Sequence, residues 1–163
     1  MSLFANGVTE LRRFADYRGR STRSDLVAFW LATLFAALIL MVAAIIVEAV
    51  AFPDSALSWT VPTVYRWVLA IPMLALFVRR LHDGGRSGWW AAFCVPVAAQ
   101  NIIADYYRLT GDMEAMLAVT HSTSHLIAGL GLLVVFMFLL APGEEGANPY
   151  GPNPRYDPPG EPA

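Results

Sequence analysis

Residues 79 to 90 read RRLHDGGRSGWW, and they bring together the side chains in this chain best suited to chemistry. Arg79, Arg80 and Arg86 supply guanidinium forks, which match phosphate and carboxylate in a bidentate way. His82 stands beside Asp83, the pair of types a general base and its orienting carboxylate would need. Ser87 and Gly88 open the apolar run that follows, and backbone N–H groups at a helix start hold anions well. A second cluster of arginines, Arg20 and Arg23, precedes the first apolar run. The pattern therefore predicts an anion site built from Arg20, Arg23, Arg79, Arg80, His82, Asp83, Arg86 and Ser87, fit for the phosphate of a lipid headgroup or another phosphate ligand. The competing static reading needs only arginines that fix membrane orientation, a turn at Gly84-Gly85, and Asp83 paired with Arg80 or Arg86.

Catalysis has less to draw on. Neighbouring residues in a turn rarely face each other, and no nucleophile, paired carboxylates or metal set accompanies His82. Ser21, Ser24 and Ser87 read as caps and turn residues, with Ser24 the expected N-cap of the first long helix. His121 and His125 are spaced to share a helix face, but two histidines without a third ligand make an interfacial pair the plainer reading. No catalytic residue, metal or cofactor is predicted.

The elements that carry these residues follow from hydropathy. Of 163 residues 56% are hydrophobic, above the roughly 45–50% of soluble domains, so lipid is the expected solvent for much of the chain. Leu26 to Val47 is uncharged, and about 20 apolar residues cross a bilayer core as a helix. The run exceeds the length of a secretory signal core, which marks it as a span. Val61 to Val78 is a second span containing Pro62, Arg66 and Pro72. Trp89 to Ala104 is a shorter third one, expected to kink around Pro96 or to pack against its neighbours, and the fourth runs from near Ser122–Ser124 to Pro142-Gly143. An irregular outer loop is expected over about 105 to 121. The fold class is thus all-α: a polytopic membrane protein with four transmembrane helices in a bundle. An amphipathic interfacial helix over residues 3 to 16 precedes it, with Phe4, Val8, Leu11 and Ala15 at helical spacing.

All eleven basic residues are arginine. Nine of them, Arg12, Arg13, Arg18, Arg20, Arg23, Arg79, Arg80, Arg86 and Arg155, fall on one side of this four-span arrangement, against Arg66 and Arg108 on the other. Basic loops stay in the cytoplasm, so both termini and the 79–90 loop are expected there. The chain then divides into a cytoplasmic segment (1–25), a membrane domain (26–141) and a Pro/Gly-rich cytoplasmic tail (142–163) without regular structure. A net charge of −2 gives no reason to expect nucleic acid. The single cysteine, Cys94, inside an apolar run, forms no internal disulfide and reads as a packing residue.

Three stretches together, YRGRSTRSD with Phe29 and Trp30, RRLHDGGRSGWW, and PGEEGANPYGPNP, resemble the DUF805 family of small bacterial inner-membrane proteins. That resemblance covers most of the chain. It implies a four-span protein of the bacterial inner membrane and supplies neither a reaction nor known binding residues. Two departures stand out: the aromatic pair lies further from the Gly-Arg-x-x-Arg motif, and the 105–121 segment is long. The functional class expected is a membrane binding or scaffold module whose partners are membrane lipids with anionic headgroups. A homo-oligomer or a membrane-protein partner remains open, and a small transporter subunit or a lipid-modifying enzyme are the alternatives.

Overall fold

The structure is a computed structural model that describes residues 12–13, 15–53, 55–120 and 124–155. Most of the expected 3–16 helix, the last eight residues of the tail, and the side chains of His121 and His125 lie outside the described residues. Helix α1 covers Arg23–Ala51 and α2 Leu57–Asp83; a 3-10 helix at Gly88–Cys94 leads into α3, Val95–Thr110, followed by α4, Met113–Thr120, and α5, Ser124–Leu140. Among the described residues there is no strand, only an isolated bridge between Asn148 and Gly151. The all-α expectation agrees with this. Two helices, α1 and α2, are long and apolar enough to cross a membrane.

Helix α1 starts two residues earlier than expected. Thr22, not Ser24, is the N-cap: its hydroxyl accepts from the Asp25 N–H at 3.2 Å, and the Asp25 carboxylate accepts from the Thr22 N–H at 2.9 Å. This reciprocal pair satisfies two of the N–H groups that a helix start leaves open, which a lone Ser24 could not do. At the other end of α1, Glu48 accepts from the Ser58 N–H and so caps the start of α2, where a negative charge is favoured by the helix dipole.

The third expected span does not kink at Pro96. The chain instead winds as a 3-10 helix through Cys94, and Pro96 stands in the first turn of α3, where its missing N–H costs no hydrogen bond. The outer segment is also corrected. Helix α3 continues through Asp105 and Arg108 to Thr110, turns at Gly111 with φ 77°, and restarts as α4, whose first turn receives the Asp112 carboxylate at the Ala115 N–H. Charged residues interrupted the apolar run without interrupting the helix.

Helices α1, α2 and α5 meet in a small core of Leu26, Phe29, Leu76, Val135 and Leu139, with Cys94 packed against it. Gly131 of α5 lies against the 3-10 helix, where a Cβ would stand 3.2 Å from the Phe93 carbonyl; Gly129 meets nothing within 4 Å. Much of the apolar surface points outward. Only 6% of the most apolar window of α1 is buried, and Leu34, Phe35, Leu38 and Ile39 are exposed, a distribution opposite to that of a core helix in water. Arg66 of α2 pairs with Asp105 of α3, which also accepts from the Trp67 indole at 2.9 Å, and Arg66 reaches Asn101 at 3.4 Å. These side-chain contacts tie α2 to α3.

Candidate functional site: a buried arginine node

The inward stripe of α2 changes chemistry without changing period. Pro72, Leu76, Arg79 and Asp83 recur at helical spacing and all are buried, with Ala75 and Arg80 beside them. The same face that contributes apolar side chains to the core therefore delivers two guanidiniums and a carboxylate at the helix end. His82, on another face, is half-buried.

Asp83 is the centre. One of its oxygens accepts from Arg20 through Nε at 3.0 Å and Nη2 at 2.9 Å; the other accepts from Arg80 and has the Arg155 guanidinium 3.7 Å away. Both Arg20 and Asp83 side chains are 1% exposed, so this pair has almost no water to solvate it. The structure buries three arginines: Arg20 and Arg80 hold the Asp83 carboxylate, and Arg79 turns to the chain before α1. Carbonyl oxygens supply the remaining acceptors. Arg20 donates to Gly146 O at 2.6 Å and Glu144 O at 2.7 Å, and Arg80 to Leu139 O at 2.8 Å and to Ala141 O. Arg79 donates to the Ser21 hydroxyl at 3.0 Å, to Arg13 O at 3.3 Å and to Asp16 O. The carbonyls at the end of α5 have no partner within their helix and carry its negative dipole, so a guanidinium there meets both needs. Further out, Asp16 sits beside Arg13, whose side-chain hydrogen bond holds its carboxyl below the usual carboxylate range, helped by the Arg18 N–H.

The tail closes over this cluster. The Glu144 N–H donates to Asp83 O at 2.8 Å, Asn148 donates to His82 O at 2.9 Å, and Asn153, itself buried, ties Glu144 O and Glu145 O together at 2.9 and 3.0 Å. Gly143 is required by contact: any Cβ there would collide with the Asp83 carboxylate. Gly85 needs both its conformation, φ +68°, and its lack of a side chain, because the Glu144 carboxylate occupies the Cβ position. Residues 142–155 thus form a strap that has no regular element and is fixed by side chains.

The eight residues singled out in the sequence separate into groups. Arg20, Arg79, Arg80 and Asp83 form the buried node. Arg23 and Arg86 are exposed at its rim: Arg23 donates to Ala141 O at 3.2 Å, and the Arg86 guanidinium lies over the Phe138 ring at 4.2 Å. Ser87 caps the 3-10 helix by accepting from the Trp89 N–H at 3.4 Å. His82 and Asp83 do not act together. The imidazole Nδ1 meets Gly19 O at 3.2 Å and its ring stacks on Tyr150 at 3.9 Å, while the Asp83 carboxylate is taken by arginines. Among the described residues no three His, Cys, Asp or Glu side chains group as metal ligands. Ser21 was read only as a cap or turn residue, and Gly143, Asn148 and Asn153 were missed; for those three the signal was the tail motif itself, where Asn and Gly recur between prolines.

The model of the family described as "Protein of unknown function (DUF805)" matches residues 14–152. The chain is 23% identical to "Inner membrane protein YhaH" of Escherichia coli (strain K12) over 148 residues, which is 91% of this chain and 94% of that one. It is 26% identical to "Inner membrane protein YhaI" of the same organism over 147 residues, 90% of this chain and 92% of that one. No solved structure matches.

Two glycines of one strap separate contact from composition. Gly143→Ala forces a methyl group into the Asp83 carboxylate, whereas Gly146, with nothing within 4 Å of its Cβ position, accepts one freely. Overpacking of this kind costs about 1–3 kcal/mol. The thermal midpoint of the detergent-purified protein is expected to fall by several degrees for Gly143→Ala and to stay at the wild-type value for Gly146→Ala; equal midpoints would contradict the strap's packing.

Proposed function

The chain belongs to the DUF805 family, and from that premise we propose that it is a four-span inner-membrane binding or scaffold protein whose rim arginines hold the phosphate of an anionic lipid headgroup. Support for four crossings comes from the way helix ends converge. Ser21 before α1, Asp83 ending α2 and Ala141 after α5 are bonded into one node, while Arg66 and Asp105 pair α2 with α3 well away from it. A chain that leaves the node along α1, returns along α2, leaves again through the 3-10 helix and α3, and returns along α5 crosses four times. Nine arginines against two support a node facing the cytoplasm, with both termini there. The relatives' names agree with an inner-membrane location.

The observation that carries the lipid reading is Arg86. The residue is exposed, its guanidinium carbon stands 4.2 Å from the centre of the Phe138 ring, and among the described residues no side chain or carbonyl accepts from it. A guanidinium held by a ring face keeps its N–H edges for an outside acceptor. Arg23 lies at the same end of α5, on the Ala141 carbonyl. The buried arginines have their acceptors within the protein, so the anion site of this reading is the rim, with Arg20, Arg79, Arg80 and Asp83 holding the scaffold behind it.

Native mass spectrometry from mild detergent with added phosphatidylglycerol tests it. Wild type is expected to retain lipid adducts, and Arg23→Gln with Arg86→Gln to weaken retention about tenfold, the scale of one lost charge-assisted contact. Equal retention by the two proteins would sink the reading. The topology has its own test: alkaline phosphatase fused after residue 163 is expected to be inactive and a green fluorescent protein fused there to fluoresce, and the reverse pattern would invert the orientation.

A further inference from the structure

Opposite the 3-10 helix from its α5 contact, the end of α2 and the strap enclose a cleft of about 650 Å³, within the size range of small-ligand sites. Its polar end is lined by His82, Tyr17, Tyr150 and Ser87, and its apolar end by residues such as Leu74, Val78 and Val95. Among the described residues no arginine, aspartate or glutamate lines it, and neither Arg23 nor Arg86 is among its walls. It runs from the polar node down the side of two helices, the shape that an amphiphile with a small head and an apolar body requires.

The chemistry of the head is set by His82. A carbonyl only accepts, so the bond to Gly19 O assigns the proton of the neutral ring to Nδ1 and leaves the lone pair on Nε2. That atom has no partner among the described residues and lies 3.4 Å from where a Cβ on Gly88 would stand, against the cleft wall. The ring is held flat on Tyr150, with planes 3° apart, so Nε2 has a fixed direction. Gly88 is held in close contact with α2: a Cβ there would stand 2.8 Å from Val78 Cγ1, so only glycine lets the start of the 3-10 helix lie this near His82. An oriented acceptor, flanked by tyrosine rings and free of cationic neighbours on the wall, favours a cationic hydrogen-bond donor. A head with a net negative charge would meet no positive side chain among the described residues that line the cleft, whereas a zwitterionic head brings its own compensating charge.

We propose that this cleft binds a zwitterionic lipid carrying a primary ammonium headgroup, with the ammonium donating to His82 Nε2 and the acyl chains leaving along Leu74 and Val95. The site is separate from the rim arginines and takes a different lipid class. It rests on the membrane topology proposed above, since the lipid comes from the leaflet at the arginine-rich end.

The test uses the full-length protein in mild detergent, with phosphatidylethanolamine, phosphatidylcholine and phosphatidylglycerol added separately and adducts counted by native mass spectrometry. Phosphatidylcholine has the same charge as phosphatidylethanolamine but no N–H donor. Wild type is expected to retain phosphatidylethanolamine about tenfold better than phosphatidylcholine. His82→Asn, whose amide can still donate to Gly19 O but reaches no further, is expected to lower phosphatidylethanolamine to the phosphatidylcholine level. His82→Gln, which carries an acceptor to the Nε2 position, is expected to keep the preference. Equal retention of the two lipids by wild type, or a full preference in His82→Asn, would overturn the proposal. Should His82→Asn fail to fold, the wild-type comparison and His82→Gln decide it. Phosphatidylglycerol retention is expected to follow Arg23 and Arg86 and to ignore His82, so failure at one site is read separately from failure at the other.

Discussion

A carboxylate and a guanidinium buried together at 1% exposure each constrain everything around them. Removing such ions from water costs several kcal/mol apiece, and attraction alone repays it only when the remaining donors and acceptors are also met. The Asp83–Arg20 pair meets them by drawing in backbone. Arg20 takes the strap carbonyls of Glu144 and Gly146, Arg80 takes the last carbonyls of α5, and Arg79 takes Ser21 and the chain before it. Each of these bonds fixes a helix end or a loop, and among the described residues neither the strap nor the chain before α1 adds a side chain to the apolar core. One ion pair thereby locates the start of α1, the end of α2, the end of α5 and the strap relative to one another.

Location at helix ends is what makes three arginines tolerable beside a single aspartate. The middle of an apolar helix has no spare carbonyls, and a guanidinium there would need a carboxylate of its own, as Arg66 has in Asp105. At the end of α5 the last carbonyls are open and partly negative, and Leu139 O and Ala141 O face Arg80. The same economy explains why the rim differs. Arg86 reaches beyond the carbonyls, rests on Phe138 and keeps its hydrogen-bonding edge. Buried and rim arginines are thus distinguished by how fully the protein's own acceptors engage them, a property invisible in a count of charges.

Sequence carried the helices well and their chemistry less well. Continuous apolar runs announced α1 and α2, because a helix that faces lipid on most sides needs no polar face to be recognised. The arginine motifs around residues 20 and 80 were visible as motifs. Their division into buried and exposed members was not, since it depends on which carbonyls residues 139 to 146 bring within reach. The helical continuation through Asp105 and Arg108 was hidden for a related reason: hydropathy reports the solvent around a segment, whereas the segment's hydrogen bonding decides its conformation. Pro96 misled in the opposite direction, a residue that breaks a helix interior but suits a first turn. The strap was the least legible part, because its order comes from Asn148 and Gly143 touching residues some 60 positions away or more in the chain, beside short-range ties such as those of Asn153 within the strap itself.

The claim on which these conclusions stand is that Asp83 and Arg20 act as one unit. A double-mutant cycle on the unfolding free energy of the detergent-solubilised protein, with Asp83→Ala, Arg20→Ala and the two combined, measures that directly. Removing one partner of a buried pair costs about 3–5 kcal/mol, because the other is left buried and uncompensated. The double variant is therefore expected to be destabilised little more than either single one, a coupling of about 2 kcal/mol or more. Destabilisations that simply add would contradict the account and reduce the node to independent contacts.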